Sequence, residues 1–396
     1  MFETASSGIF KFFQRGFAPA HGQCGDSAAH LLFAGDIIGH MPILCDASGG
    51  HNIEFDFSHI YSDAAKQLSA ASYAVANLES PLGGGPYSGY PCFNSPDALA
   101  AGAMQAGIRM FSTANNHAFD AGITGAIRTL DVLDAMGAAH IGTHRSVQER
   151  SQNHGVHVAD VDGISVAFLS YTQAFDFMPD TELFCDHINV FSSEHGLGSG
   201  AVAVSRLMDD MSYARSLGTD FIAVLLHWGK ENCDTPNASQ TAIAKFLVFL
   251  GADIVIGNHP HVLQPYGIIR LTGFDGKERS GFVSFSLGNF ISNQGLLEER
   301  TTCVLDLSLQ KGKKAFISDV SYTPYYMYFL DNAPFGNEAK PWGAQRFLLN
   351  VHEHIEAYES GSPGRITDDD YSQLIRALEH CHHILGKDGD AFYSRR

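Results

Sequence analysis

The strongest constraint on this chain is a series of short apolar segments, each of which stops on a residue able to bind a metal. LLFAG runs into Asp36, SYAVANL into Glu79, and MFSTA into Asn115, Asn116 and His117. FIAVLL runs into His227, DIVIG leads to His259 and His261, and VSFSLG ends at Asn289. Short apolar runs bounded by turn residues read as buried strands. Between them lie helix-period stretches at 95–107, 122–136, 200–217 and TAIAKFLVFLGA, the first opened by Ser95 as cap with Pro96 at the first helical position. Strands alternating with helices indicate an α/β fold, whose open sheets carry ligands at the C-terminal strand ends. A single Gly-Asp after a strand is usually only a turn; six such stops in one chain point to a site.

The remaining pattern divides the chain. VHVADVDGISVAFLSYT reads as a hairpin turning at Asp162-Gly163, and GFVSFSLGNF, 301–309 and 316–324 read as further strands. Residues from about 335 to 365 read as irregular, after which Thr367 caps an amphipathic helix that Gly386 ends. The expected organisation is a lead-in over 1–30, a main domain over 31–330 and an accessory C-terminal segment with a helix over 331–396. In the lead-in, Lys11 and Arg15 interrupt the phenylalanines, so it shows no continuous apolar core of a secretory signal, and no apolar run along the chain is long enough to span a bilayer.

Charge narrows the partners. The 43 acidic and 25 basic residues leave a formal net of −18, which repels duplex nucleic acid and anionic membranes. A polyanionic substrate would need a local positive site such as a bound cation. Seven scattered cysteines with no CxxC pair argue against both a disulfide framework and a thiolate zinc site.

Imidazoles combined with carboxylates and an amide oxygen suit Zn, Mn, Fe or Ni. The HxH at 259 and 261 places two imidazoles on one loop, where they can serve neighbouring ions, and a carboxylate such as Glu79 can bridge two ions that activate one water. His117 would then protonate a leaving group. Taken alone, His227 reads equally as a core histidine or a ligand. Asp120 reads equally as the group orienting His117 or as a helix cap, and Glu231 as a partner of a metal-bound histidine, a substrate contact or a solvated charge. With 20 histidines in the chain, His51, His59, His140 and His144 read as surface or supporting residues, as do the clustered His380, His382 and His383.

LLFAGDIIGH, ANLESPL, STANNHAFDAG, LLHWGKE, GADIVIGNHPHVLQPYG and SFSLGNF occur in the order found in capsule-biosynthesis proteins of the CapA type, which the chain resembles over residues 31–310. That family is associated with poly-γ-glutamate synthesis and is similar to calcineurin-like metallophosphoesterases. The resemblance implies a four-layer α/β/β/α sandwich of metallophosphoesterase type with a C-terminal helical extension. Carried over, Asp36 and His261 serve one metal, Asn116, His227 and His259 the other, Glu79 bridges, His117 is the general acid, and Asn289 is a pocket residue. Two positions depart from the phosphoesterase pattern. Ile38 stands where an Asp-x-His motif would place an imidazole, and Glu79 stands in place of Asp. His40, where the capsule family often has Arg, reads as a contact to an anionic substrate. The implied cofactor is a divalent transition metal (Mn, Zn or Fe), one ion held tightly with or without a weaker second. The implied function is a metal-dependent hydrolase or transfer enzyme acting on a γ-glutamyl or related cell-envelope polymer. The alternatives are a non-catalytic polymer-binding subunit of a capsule assembly machine and a metal-dependent phosphoesterase. The implied partners are an anionic polymer and other capsule-synthesis proteins. The implied location is the cell envelope, although a chain without a visible anchor also fits the cytoplasm.

Overall fold

A computed structural model describes residues 27–48, 55–174, 186–193, 197–273, 276–330 and 346–394. Most of the lead-in, the first part of the stretch read as irregular, and His51 lie outside the described residues.

Two mixed sheets form the centre. The first contains β1 (Ser27–Ile37), β2 (Tyr73–Leu78), β3 (Met110–Ser112), β4 (Ala139–Ile141), β12 (Asn289–Ile291), β13 (Thr301–Lys311), β14 (Ala315–Phe329) and β15 (Arg346–Asn350). Its order is β15-β14-β13-β1-β2-β3-β4, with β12 paired to β1. The second contains β5 (His157–Val161), β6 (Ile164–Ala174), β7 (Val190–Ser193), β8 (Phe221–His227), β9 (Ile254–Asn258), β10 (Leu263–Thr272) and β11 (Glu278–Leu287). Its order is β10-β11-β9-β8-β6-β5, with β7 paired to β6.

The layering follows from strands that are apolar on both faces. In β1, Leu31 and Phe33 join Val75, Met110 and Leu305 in a core shared with Val166, Phe168, Ala223, Leu225 and Ile254 of the other sheet. The alternate residues Leu32 and Ala34 face outward onto Leu44 of α1 (Met41–Ala47), Leu68 of α2 (Ser62–Ser69), Leu99 and Ala103 of α3 (Ala98–Ala106), and Leu133 of α4 (Gly122–Met136). A short α5 (Val147–Asn153) follows β4. On the far side, Leu169, Val224, Leu226 and Val255 meet Leu207 and Met211 of α6 (Leu197–Ser216) and Leu247 and Val248 of α7 (Ala238–Leu250). The result is the expected four-layer α/β/β/α sandwich.

Local signals mostly act where the sequence places them. The Asp162-Gly163 hairpin forms with both residues at positive φ, and Val161 pairs with Ile164. Thr367 caps the last long helix through Asp370, and Gly386 ends it. Three readings need correction. The helix expected from Ser95 begins at Ala98 with Asp97 at the cap, and Ser95 Oγ is buried without a hydrogen-bond partner among the described residues. LQPYGIIRLT, given no element in advance, is β10 at the sheet edge. The stretch read as irregular contains both β15 and a helix (Val351–Glu359). β15 pairs with β14 along Tyr325–Phe329 and so completes the first sheet. The terminal helix (Asp368–Leu385) packs Leu374 and Ala377 against Tyr326, Phe347 and Leu349, and sends Cys381 and Leu385 into the core between the sheets.

Candidate metal centre

Both sheets end at one place. Asp36 lies at the end of β1, opposite Asn77 of β2 and Asn289 of β12. Glu79 is the first residue after β2 and is held by its N–H on Ile37 O at 3.0 Å. Asn116 and His117 follow β3, and His227 ends β8. His259 and His261 follow β9, both at positive φ (99° and 60°). Backbone strain of this kind in non-glycine residues costs about 1–3 kcal/mol and persists where a site requires it. At Gly35 a side chain could not fit, because a Cβ there would lie 1.9 Å from Gly288 O. The Gly-Asp and Ser-Leu-Gly-Asn segments are therefore pressed together behind the site.

The donor atoms converge. His227 Nε2 lies 2.7 Å from Asn116 Oδ1, 3.1 Å from His259 Nδ1 and 3.3 Å from Glu79 Oε1. His261 Nδ1 lies 3.5 Å from Asp36 Oδ2, and its Nε2 lies 3.9 Å from Glu79 Oε1. Donors bound about 2.1 Å from one ion sit roughly 3.0–3.4 Å from each other, and the 3.1 and 3.3 Å separations of His259 Nδ1 and Glu79 Oε1 from His227 Nε2 have that spacing. Potential ligand atoms of Glu79, His227 and His259 cluster within 4.8 Å of one another, as do those of Asp36, Glu79 and His261 and those of Glu231, His259 and His261. Asp36, Glu79, Asn116, His227, His259 and His261 are all buried.

Glu79 is the telling group. Its carboxylate is fully buried, and neither oxygen has a hydrogen-bond donor among the described residues. Burial and the neighbouring Asp36 push its pKa well above the carboxylate range. Burial pushes His227 down to about 3, and burial with the adjacent imidazoles pushes His259 well down. Burial opposes charge on His261 too, yet Glu79 and Asp36 raise it to about 9. The cluster sets buried carboxylates against buried imidazoles, and these residues fit a divalent cation.

Supporting contacts fix the ligands. Asn77 Nδ2 donates to Asp36 Oδ1 (2.8 Å), and His259 N donates to Asp36 Oδ2 (3.1 Å). Asn289 Oδ1 accepts from His261 Nδ1 (3.0 Å), which turns Nε2 toward Glu79. The Asn289 amide nitrogen faces His261 O, Gln294 Oε1 and Glu299 O, so its contacts among the described residues hold the His261 loop. His117 is at the edge, and its Nδ1 is 2.7 Å from Asp120 Oδ2. The helix after it has Ala121 at its cap with no side-chain bond, so Asp120 orients the imidazole. Phe93 packs edge-on against both His117 and His40, and Asn293 N donates to His40 Nδ1 at 3.2 Å. Burial with the nearby His261 and His117 holds His40 down at about 4, so it offers an anion a neutral ring and not a charge. Glu231 is exposed.

Sequence reasoning gave no role to Asn77, Asn115 or Phe93. Asn77 had a signal, since it lies two residues before Glu79 and so on the same strand face. Asn115 donates to Leu78 O and to Asn77 Oδ1 and accepts from His117 N, which ties the loop after β3 to the end of β2. Of the histidines set aside, His59 pairs with Asp46, His140 with Asp134, and buried His144 with Asn189.

Comparison with known proteins bears on this site. The chain is 24% identical over 271 residues to "Capsule biosynthesis protein CapA" of Bacillus anthracis, covering 66% of this chain and 60% of that protein. It is 26% identical over 202 residues to "PGA biosynthesis protein CapA" of Bacillus subtilis (strain 168), covering 51% and 47%. The chain thus spans about half to three fifths of the length of these relatives. Among solved structures, a hypothetical protein from Thermus thermophilus is similar with a TM-score of 0.42 and 14% identity, covering 75% of this chain and 99% of that one. The Thermus thermophilus sulfate thiohydrolase SoxB, in complex with glycerol, is similar with a TM-score of 0.40 and 11% identity, covering 76% and 56%. At those scores the likeness carries no functional argument. The model of the family described as "Bacterial capsule synthesis protein PGA_cap" matches residues 30–294, about two thirds of the chain, with every residue of the converging cluster inside the match. The chain belongs to the bacterial capsule synthesis PGA_cap family.

Proposed function

We propose that this protein is a metal-dependent hydrolase or transfer enzyme acting on amide bonds of a γ-glutamyl or related cell-envelope polymer. The observation that carries the reading is the buried Glu79 carboxylate, which lacks hydrogen-bond donors and is ringed by His227, His261 and Asp36. A buried carboxylate left this way costs several kcal/mol unless a cation meets it. The polymer is suggested by the relatives, whose names refer to capsule and PGA biosynthesis.

Asp36, Glu79 and His261 would hold one ion, and Asn116, His227 and His259, sharing Glu79, a second or weaker one. When bound, a divalent Mn, Zn or Fe ion polarises a carbonyl and lowers the pKa of water. The chain supplies the rest. Asp120 accepts from His117 Nδ1 and so supports the imidazolium form, whose second proton, on Nε2, would pass to the departing nitrogen and leave the neutral ring. Asn289 and Asn77 keep the ligands from turning. The −18 surface would repel an anionic polymer, so its docking depends on the charge of the loaded centre.

The test is metal content by mass spectrometry on protein purified without chelator, beside a His259→Ala, His261→Ala double variant. Poly-γ-glutamate cleavage or transfer is followed in the same samples. One or two equivalents in the parent, lost in the variant together with turnover, is the expected result. Folded parent that stays metal-free with Mn, Zn and Fe supplied would overturn the proposal in favour of a polymer-binding role.

A further inference from the structure

The three-residue groups of the centre are not equally complete. Glu79, His227 and His259 have the Asn116 amide oxygen as a fourth donor, 2.7 Å from His227 Nε2. Asp36, Glu79 and His261 form a group of three among the described His, Cys, Asp and Glu residues. Ile38 has no donor atom, and Asn77 and Asn289 are spent holding Asp36 and His261. Three protein donors leave a transition metal open to solvent or to another ligand.

Glu231 lies beside His259 and His261, its carboxylate in one group with both imidazoles. The segment carrying it is anchored at three points. Trp228 is fully buried and donates from Nε1 to Phe285 O at 2.9 Å. Gly229 turns at φ 95°, where a Cβ would lie 2.7 Å from Gln240 Cδ. Asn232 N donates to Pro260 O at 2.8 Å, and Pro260 stands between His259 and His261. These anchors tie the Glu231 segment to the HxH loop. The Glu231 carboxylate consequently lies within 4.8 Å of ligand atoms of both imidazoles while still meeting solvent.

We propose that Glu231 is a metal ligand that closes the centre from the solvent side, beside His259 and His261. This rests on the metal-centre reading above.

The test uses the full chain with Mn²⁺ and Co²⁺ as probes. Parent, Glu231→Gln and a control, Glu278→Gln at the exposed start of β11, are titrated with each metal. Stoichiometry after gel filtration and the visible spectrum of the cobalt form are recorded. Glu231→Gln should lose one equivalent, or bind its weaker equivalent roughly tenfold or more less tightly. Its cobalt bands should change in intensity, and the control should match the parent. A Glu231→Gln protein with parental stoichiometry, affinity and cobalt spectrum would overturn the assignment while leaving the metal centre standing. A parent that takes up neither metal would overturn both.

Discussion

At the scale of single residues, the site separates groups that bind from groups that hold. His117 is 2.7 Å from Asp120 and does not belong to any of the three ligand groups. His117→Ala should therefore lower turnover by about 10²–10⁴, the usual worth of a general acid, with metal content unchanged. Loss of metal along with rate would assign His117 to the ligands instead. Asn289 gives the opposite expectation. Asn289→Ala frees the His261 ring and should weaken metal affinity by about 10–100-fold, read by chelator competition, whereas parental affinity would refute the positioning role. The candidate ligands were legible in the sequence because each stands at or within a few residues of the end of an apolar run, where a polar residue stands out. Asn77 was less legible, since it sits inside the strand and its task, donating to Asp36 across β1 and β2, exists only once the strands pair.

At the scale of elements, strands apolar on both faces announced themselves and edge strands did not. β10 contains Pro265 and Gly267, which break the apolar pattern, and an edge strand can accommodate such a proline. β15 is five residues beside a Gly- and Pro-rich stretch, and only its pairing with β14 makes it a strand. At the start of α3 the cap position falls on Asp97 and not on Ser95, and the Asp97 carboxylate, which makes no capping hydrogen bond, takes the Arg128 guanidinium at 2.6 and 2.9 Å. The cap of the terminal helix behaved as read. Thr367→Ala removes the hydroxyl that accepts from Asp370 N and should cost about 1 kcal/mol, seen as a lower urea midpoint at unchanged slope. An unaltered midpoint would mean that packing of Leu374 and Ala377 alone sets the start of that helix.

At the scale of the whole molecule, two properties follow. Burial, with nearby Arg150, holds His144 down at about 4, whereas the unfolded chain binds that proton near 6.5. Its contribution is complete above pH 6.5 and is lost as pH falls toward 4, with a slope of at most about 1.4 kcal/mol per pH unit. Denaturation midpoints should fall less steeply from pH 7 to 6 to 5 for His144→Gln than for the parent, and parallel falls would refute this. The second property comes from the origin of the ligands. Asp36, Glu79 and Asn116 come from the first sheet, and His227, His259 and His261 from the second. An ion held between them joins two layers that otherwise meet through side-chain packing. At a hundredfold excess over its dissociation constant it would add about 2.7 kcal/mol, read as a higher melting temperature that His227→Ala abolishes. A chain that failed to load would then be the first to let its sheets part and the first to be cut by a protease, so the surviving population would sort itself by metal content.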